Sequence, residues 1–91
     1  MIVIILESVP TRVRGLLTRW FLEPRAGVFV GKVSARVRDL VWAEVKRSST
    51  SGSAVLICRT NSEQGFTIVT HGEHRREIVD FDGLQLVRLG D

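Results

Sequence analysis

Glu7 follows the apolar run Met1-Ile-Val-Ile-Ile-Leu6 and stands shortly before Pro10. A carboxylate at the end of a buried strand is placed to hold a hard cation such as Mg²⁺ and to activate water against a phosphodiester. One carboxylate does not make a metal cage, so a solvated or ion-paired strand end is the competing reading. In a symmetric dimer, two copies of Glu7 facing each other across the axis could share an ion. Arg12-Val-Arg14 opens a predicted helix, where free backbone N–H groups and the helix dipole favour an anion. Phosphate contact fits there; the plain alternative is a solvated helix face. Arg75-Arg76 forms a second basic pair, in a loop between two strand candidates. Adjacent side chains diverge and could straddle a phosphate backbone, although Glu73, Glu77 and Asp80 stand near enough to neutralise them. His71 and His74 lie in a strand-to-loop segment whose spacing puts them on no common face, so both read as surface histidines.

Other chemistries find little support. No cysteine pair exists for a zinc site, since Cys58 is the single cysteine. Gly31-Lys-Val-Ser34 lacks the spacing of a phosphate-binding glycine loop. No Ser/His/Asp or Cys/His pattern can be argued from spacing. Stacking of bases needs aromatics on an exposed sheet. Phe29 and Phe66 are the only strand candidates for that, and core packing is the simpler role for both.

The elements that must position these residues follow from hydrophobic periodicity. Residues 2–6 are the continuous β-branched run of a strand covered on both faces, expected at the centre of the sheet. Val13, Leu16, Leu17, Trp20 and Phe21 then recur at helical spacing, with Pro24 as the stop, so Trp20 is expected on the core stripe. Residues 26–31 read as a strand. Ser34 is a helix N-cap, followed by Val37, Leu40, Val41 and Val45 on one side, with Trp42 at a helix edge or an interface. Residues 48–53 read as a solvated loop, 54–58 as a buried strand, and 66–70 as its hairpin partner with one wetter face. Residues 71–77 form a charged loop, and the segment from Ile78 to Leu89 adds a last strand.

The expected fold is therefore α+β and close to a ferredoxin-like sandwich: one mainly antiparallel sheet, two helices on one face, and an extra C-terminal strand. That frame wants a hairpin between the helices, whereas residues 26–31 supply one clear strand. A short strand near Glu23–Arg25 or Lys32–Val33, or a variant topology, would complete it. A ferredoxin-like domain over residues 1–77 and a tail over 78–91, docking a second copy or another protein, is the expected division.

Composition bounds the class. Ninety-one residues, 44% of them hydrophobic, make one small domain that folds but buries a modest core, so partner chains are expected. The unpaired cysteine favours a reducing cytoplasm, and the opening apolar run is far shorter than the ~20 residues of a membrane span. Net charge is +3 and the pI about 10.0, with eleven of the thirteen basic residues arginine. Residues 1–47 hold nine basic and four acidic groups, while residues 48–91 hold four and six. Arginine's planar fork suits phosphate, and this segregation hints at a polyanion partner.

Several motifs in fixed order carry a resemblance over essentially the whole chain. Glu7-Ser-Val-Pro-Thr-Arg-Val-Arg-Gly15, Arg25-Ala-Gly-Val-Phe-Val-Gly31, Val33-Ser-Ala-Arg36, Thr60-Asn-Ser-Glu-Gln-Gly-Phe66 and Arg75-Arg-Glu-Ile-Val-Asp-Phe-Asp-Gly-Leu84 together resemble the Cas2 family of CRISPR-associated proteins, in its type I-E branch. The resemblance implies a ferredoxin-like homodimer that bridges two dimers of the Cas1 integrase and helps capture double-stranded protospacer DNA. It matches Arg12, Arg14, Arg75 and Arg76 to positions that hold the DNA backbone, and the segment from Ile78 onward to the integrase-docking tail. The family's acid after the first strand, usually Asp, is the proposed ligand of a Mg²⁺-dependent nuclease acting on RNA or DNA. Here it is Glu7, with Glu63 and Asp82 matching acids near the metal region. The longer side chain favours a DNA-binding scaffold. A Mg²⁺-dependent endonuclease with Glu7 as catalytic ligand is the alternative, and a module that binds protein alone is the third reading.

Overall fold

The opening apolar run forms β1 (Ile2–Glu7), and the chain continues through α1 (Thr11–Leu17), β2 (Leu22–Arg25), β3 (Val28–Gly31), α2 (Ala35–Ser48), β4 (Ser53–Arg59), β5 (Phe66–His71), β6 (Arg76–Phe81) and β7 (Leu84–Leu89). The computed structural model describes residues 1–48, 52–72 and 76–89, with Arg76, Glu77 and Leu89 entering through their backbone alone. Five strands form one sheet in the order β2-β3-β1-β4-β5, every neighbouring pair antiparallel. β1 is central, as its composition requires: Ile4 pairs with Phe29 on one side and Leu56 on the other. β4-β1-β3-β2 with the two helices is the ferredoxin-like frame, and β5 extends it beyond β4. The strand that sequence reading sought near Glu23–Arg25 is β2.

One sheet face carries the core. Ile2, Ile4 and Leu6 from β1, Phe29 from β3 and Leu56 from β4 meet Val13, Leu17, Phe21, Val41, Trp42 and Val45 from the helical layer. Phe29 is wholly enclosed, so its truncation to alanine costs about 3–5 kcal/mol. Ser34 caps α2 as expected, its Oγ accepting from Val37 N–H at 3.2 Å.

Several expectations are corrected. β1 and β4 are covered on one face only: their burial alternates, with Ile2, Ile4 and Leu6 buried while Ile5 is exposed and Val3 half-buried. Both helices lie over the same face, and the other stays open. The first helix ends at Leu17, well before Pro24, because the backbone turns at residues 18–20 and enters β2. Pro24 instead sits in β2, an edge strand, where its missing N–H is tolerated. The two tryptophans exchange roles: Trp20, past the helix end, is 50% exposed, whereas Trp42 is 7% exposed and packs in the core. Leu40, expected on the buried side of α2, is 63% exposed.

The C-terminal segment holds two strands where one was expected. β6 and β7 form their own antiparallel pair, Phe81 opposite Leu84. Asp82 and Gly83 close it with φ of +54° and +85°, the left-handed conformation at both central positions that a tight two-residue hairpin needs. The expected charged loop 71–77 gives His71 to β5 and Arg76 and Glu77 to β6, while residues 73–75 lie outside the described residues. Of the expected loop 48–53, Ser48 closes α2 and Ser53 opens β4, and residues 49–51 lie outside the described residues.

Candidate nucleic-acid interface

Arg12 and Arg14 both rise from α1, but two positions apart on a helix they do not share a face. Arg12 Nη2 donates to Ser48 Oγ at 3.0 Å, reaching the far end of α2. Arg14 Nη2 pairs with Glu23 Oε2 at 2.8 Å, over β2. The same Glu23 oxygen accepts from Gly27 N–H at 2.9 Å. Gly27 has φ +81°, and a Cβ there would lie 2.6 Å from the Leu6 carbonyl oxygen, so glycine is required at this turn. Its own carbonyl accepts from Leu6 N–H at 2.7 Å. Arg14 is thus tied through Glu23 and the β2–β3 turn to the end of the central strand. The hydrogen bond from Arg14, and then that from Gly27, hold the Glu23 carboxyl below its usual pKa.

Glu23, which braces Arg14, is the site residue that sequence reading missed, having named it only in a possible short strand near Glu23–Arg25. Its position four residues before the turn glycine was the available signal. The pairing leaves Arg14 partly exposed, with further guanidinium N–H groups to offer. α1 is seven residues long, follows Pro10 and has no side-chain cap, so the side chains rather than the helix dipole supply the positive field.

Glu7 is exposed at the end of β1, opposite Ser53 of β4. Ala54, the next residue of β4, faces His71 across to β5, so Glu7 and His71 occupy the same end of the sheet with β4 between them. Glu63 lies in the turn joining β4 to β5, at the opposite end of β4, roughly 20 Å away at the rise of an extended strand. Asp82 is at the tip of the β6–β7 hairpin. The chain does not bring these acids together: among the described residues no group of three or more His, Cys, Asp or Glu is placed to hold a metal ion. A Mg²⁺ ion at Glu7 therefore lacks a donor set within one described chain. Arg75 and His74 lie outside the described residues, and Arg76 opens β6 opposite Leu89.

Phe29 is buried in the core, and Phe66 is exposed at the start of β5. No helix among the described residues is long and apolar enough to cross a membrane. Two arginines on diverging supports fit an extended polyanion better than a single small anion. Against known proteins, the model of the family described as CRISPR-associated protein (Cas_Cas2CT1978) matches residues 1–86. A match that runs from β1 into β7, on a ferredoxin-like frame, makes this chain a member of the CRISPR-associated Cas2 family.

Proposed function

We propose that this chain, whose family membership gives it a role in CRISPR adaptation, is the dimeric scaffold of the spacer-acquisition complex, in the manner of the type I-E branch, bridging dimers of the Cas1 integrase and holding protospacer duplex by its phosphate backbone. The observation that carries this reading is the divergence of Arg12 and Arg14, braced on α2 and β2, which sets two cations along a surface rather than around a point. Arginines so placed neutralise phosphates without presenting a helix to the major groove, and binding is then independent of sequence.

A second copy has a place to sit. The sheet face away from the helices exposes or half-exposes Val3, Ile5, Val28, Val30, Val55 and Ile57 across three adjacent strands. A contiguous apolar face of this kind marks an interface. Covering it with its own copy doubles the arginines that the assembly offers to a duplex. Phe81, Leu86 and Val87 are exposed on the β6–β7 hairpin, in keeping with integrase docking. The test is the mass of the complex formed with Cas1 integrase and duplex DNA. Two copies of this chain to four of integrase are expected, and a complex without this chain, or one that forms without DNA uptake, overturns the reading.

The alternative, a Mg²⁺-dependent endonuclease with Glu7 as ligand, is favoured only by the exposure of that carboxylate at a strand end. The remaining donors would have to come from outside the described chain.

A further inference from the structure

The helical layer has an apolar surface that is continuous with the core and opens between the helices. On α2, Val45 is enclosed in the core and Val41 borders both core and cleft, while Val37 and Leu40 line the cleft beside α1. Together with Leu16 and Trp20 they line an open cleft of about 680 Å³ between the helices, within the size range of binding sites. Leu40 and Trp20 are exposed here although large and apolar.

Gly15 adds an independent observation. It lies inside α1, where glycine costs about 1 kcal/mol relative to alanine. Its φ is not positive, and a Cβ there would meet no atom within 4 Å. Neither backbone conformation nor internal packing calls for glycine at this position, which leaves close approach from outside. Gly15 borders the same cleft.

The rim is positive. Arg12 on α1 and Arg19 in the turn that follows it border the cleft, and the Arg19 side chain makes no hydrogen bond or ion pair among the described residues. The one bordering acid, Glu44, is already paired with Arg47 and accepts from Ser48 Oγ. An apolar floor between unbalanced cations asks for apolar anchors flanked by carboxylates. A duplex offers the charge but not the anchors. We propose that the α1–α2 cleft docks an acidic amphipathic helical segment of another protein, its apolar side chains against Trp20 and Leu40 and its carboxylates on Arg12 and Arg19. This site faces away from the open sheet surface; it shares Arg12 with the DNA-scaffold reading, while Arg19 and the apolar floor stand apart from that reading.

A labelled peptide helix of about 14 residues, matching the length of α2, provides the probe, with leucines on one face and glutamates beside them. Its controls are the same peptide with lysine for every glutamate and a scrambled sequence. Binding is read by anisotropy and by Trp20 emission, with Trp20→Phe removing the signal that buried Trp42 does not give. The acidic peptide is expected to bind, and the lysine and scrambled peptides at least about tenfold more weakly. Leu40→Asp, at an exposed position, weakens binding about tenfold, and Arg19→Glu transfers preference toward the lysine peptide. Gly15→Ala separates docking from folding: it raises thermal stability through helix propensity while weakening the peptide. No binding, equal binding of the lysine peptide, or indifference to Leu40→Asp overturns the proposal. Loss of duplex binding in Leu40→Asp without any peptide binding assigns the cleft to nucleic acid instead.

Discussion

The side-chain amide of Gln85 brackets the backbone of Ile68: its Oε1 accepts from Ile68 N–H at 2.6 Å and its Nε2 donates to Ile68 C=O at 2.9 Å. Gln64 repeats the arrangement toward Gln85, donating to its carbonyl and accepting from its N–H, both at 2.9 Å. Two amide side chains thus stand in for a strand ladder where the β6–β7 hairpin meets the edge of the sheet. Gln85→Ala removes one half of this clasp, a loss of about 1–3 kcal/mol locally. Hydrogen exchange at the Ile68 amide is expected to quicken by roughly tenfold or more while β1 keeps its protection. Unchanged exchange at Ile68 would show that the clasp does not hold the hairpin in solution.

The bond between Arg14 and Glu23 makes a pH-dependent contribution of defined sign. The Glu23 carboxyl is held below its ordinary value of 4.5, so the stabilisation is present above that value and fades as pH falls through the lowered one. Glu23→Gln is expected to lower the melting temperature at pH 7 and to converge with the parent protein in acid. A constant difference across the range sinks this account.

Arginine-mediated capture gives a salt law. If Arg12, Arg14, Arg75 and Arg76 all engage in both copies, about eight phosphates are neutralised and log affinity falls against log salt with a slope near −7. Arg14→Glu with Arg76→Glu is expected to flatten that slope and weaken all duplex sequences alike. Loss confined to one sequence would argue for base reading instead.

Disrupting the open sheet face tests self-association directly. Ile5→Lys places a charge among Val28 and Val55, its register neighbours, at a site exposed in the single chain. The variant is expected to fold and to sediment as a monomer where the parent sediments as a dimer. A parent protein that is itself monomeric at micromolar concentration removes the argument.

Glu7 divides the scaffold from the nuclease. On the scaffold reading, Glu7→Ala leaves duplex capture and spacer integration within about twofold, since the side chain is exposed. Mg²⁺-dependent cleavage by the purified protein that disappears in Glu7→Ala supports the endonuclease instead.

Local signals in the sequence were legible and non-local ones were not. Ser34 announced its helix because a cap is a contact within one turn, and the β-branched run of β1 announced a central strand. Helical spacing through Trp20 and Phe21 misled, because it continues past the point where the chain turns toward β2. The same periodicity could not say that Trp42 faces the sheet, which depends on how α2 rolls against it. Asp82-Gly83 was a readable hairpin signal, hidden by the apolar run beside it. The Gln64–Gln85 clasp, between residues 21 apart, and the Arg14–Glu23 pair across two elements are products of the fold. A continuous apolar strand looks the same whether helices or a second copy covers its outer face, so the open sheet surface was not legible either.

The central position of β1 also has a cost in time. Ile2 pairs with Gly31 and with Cys58, so the strand at the middle of the sheet is synthesised long before its second neighbour exists. At ribosomal speeds of roughly 5–20 residues per second, an apolar ribbon waits about 3–11 seconds for β4. During that interval Ile2, Ile4 and Leu6 are available to any other nascent chain. Yield of active protein should accordingly depend on translation rate and chaperone supply more steeply than the final stability suggests.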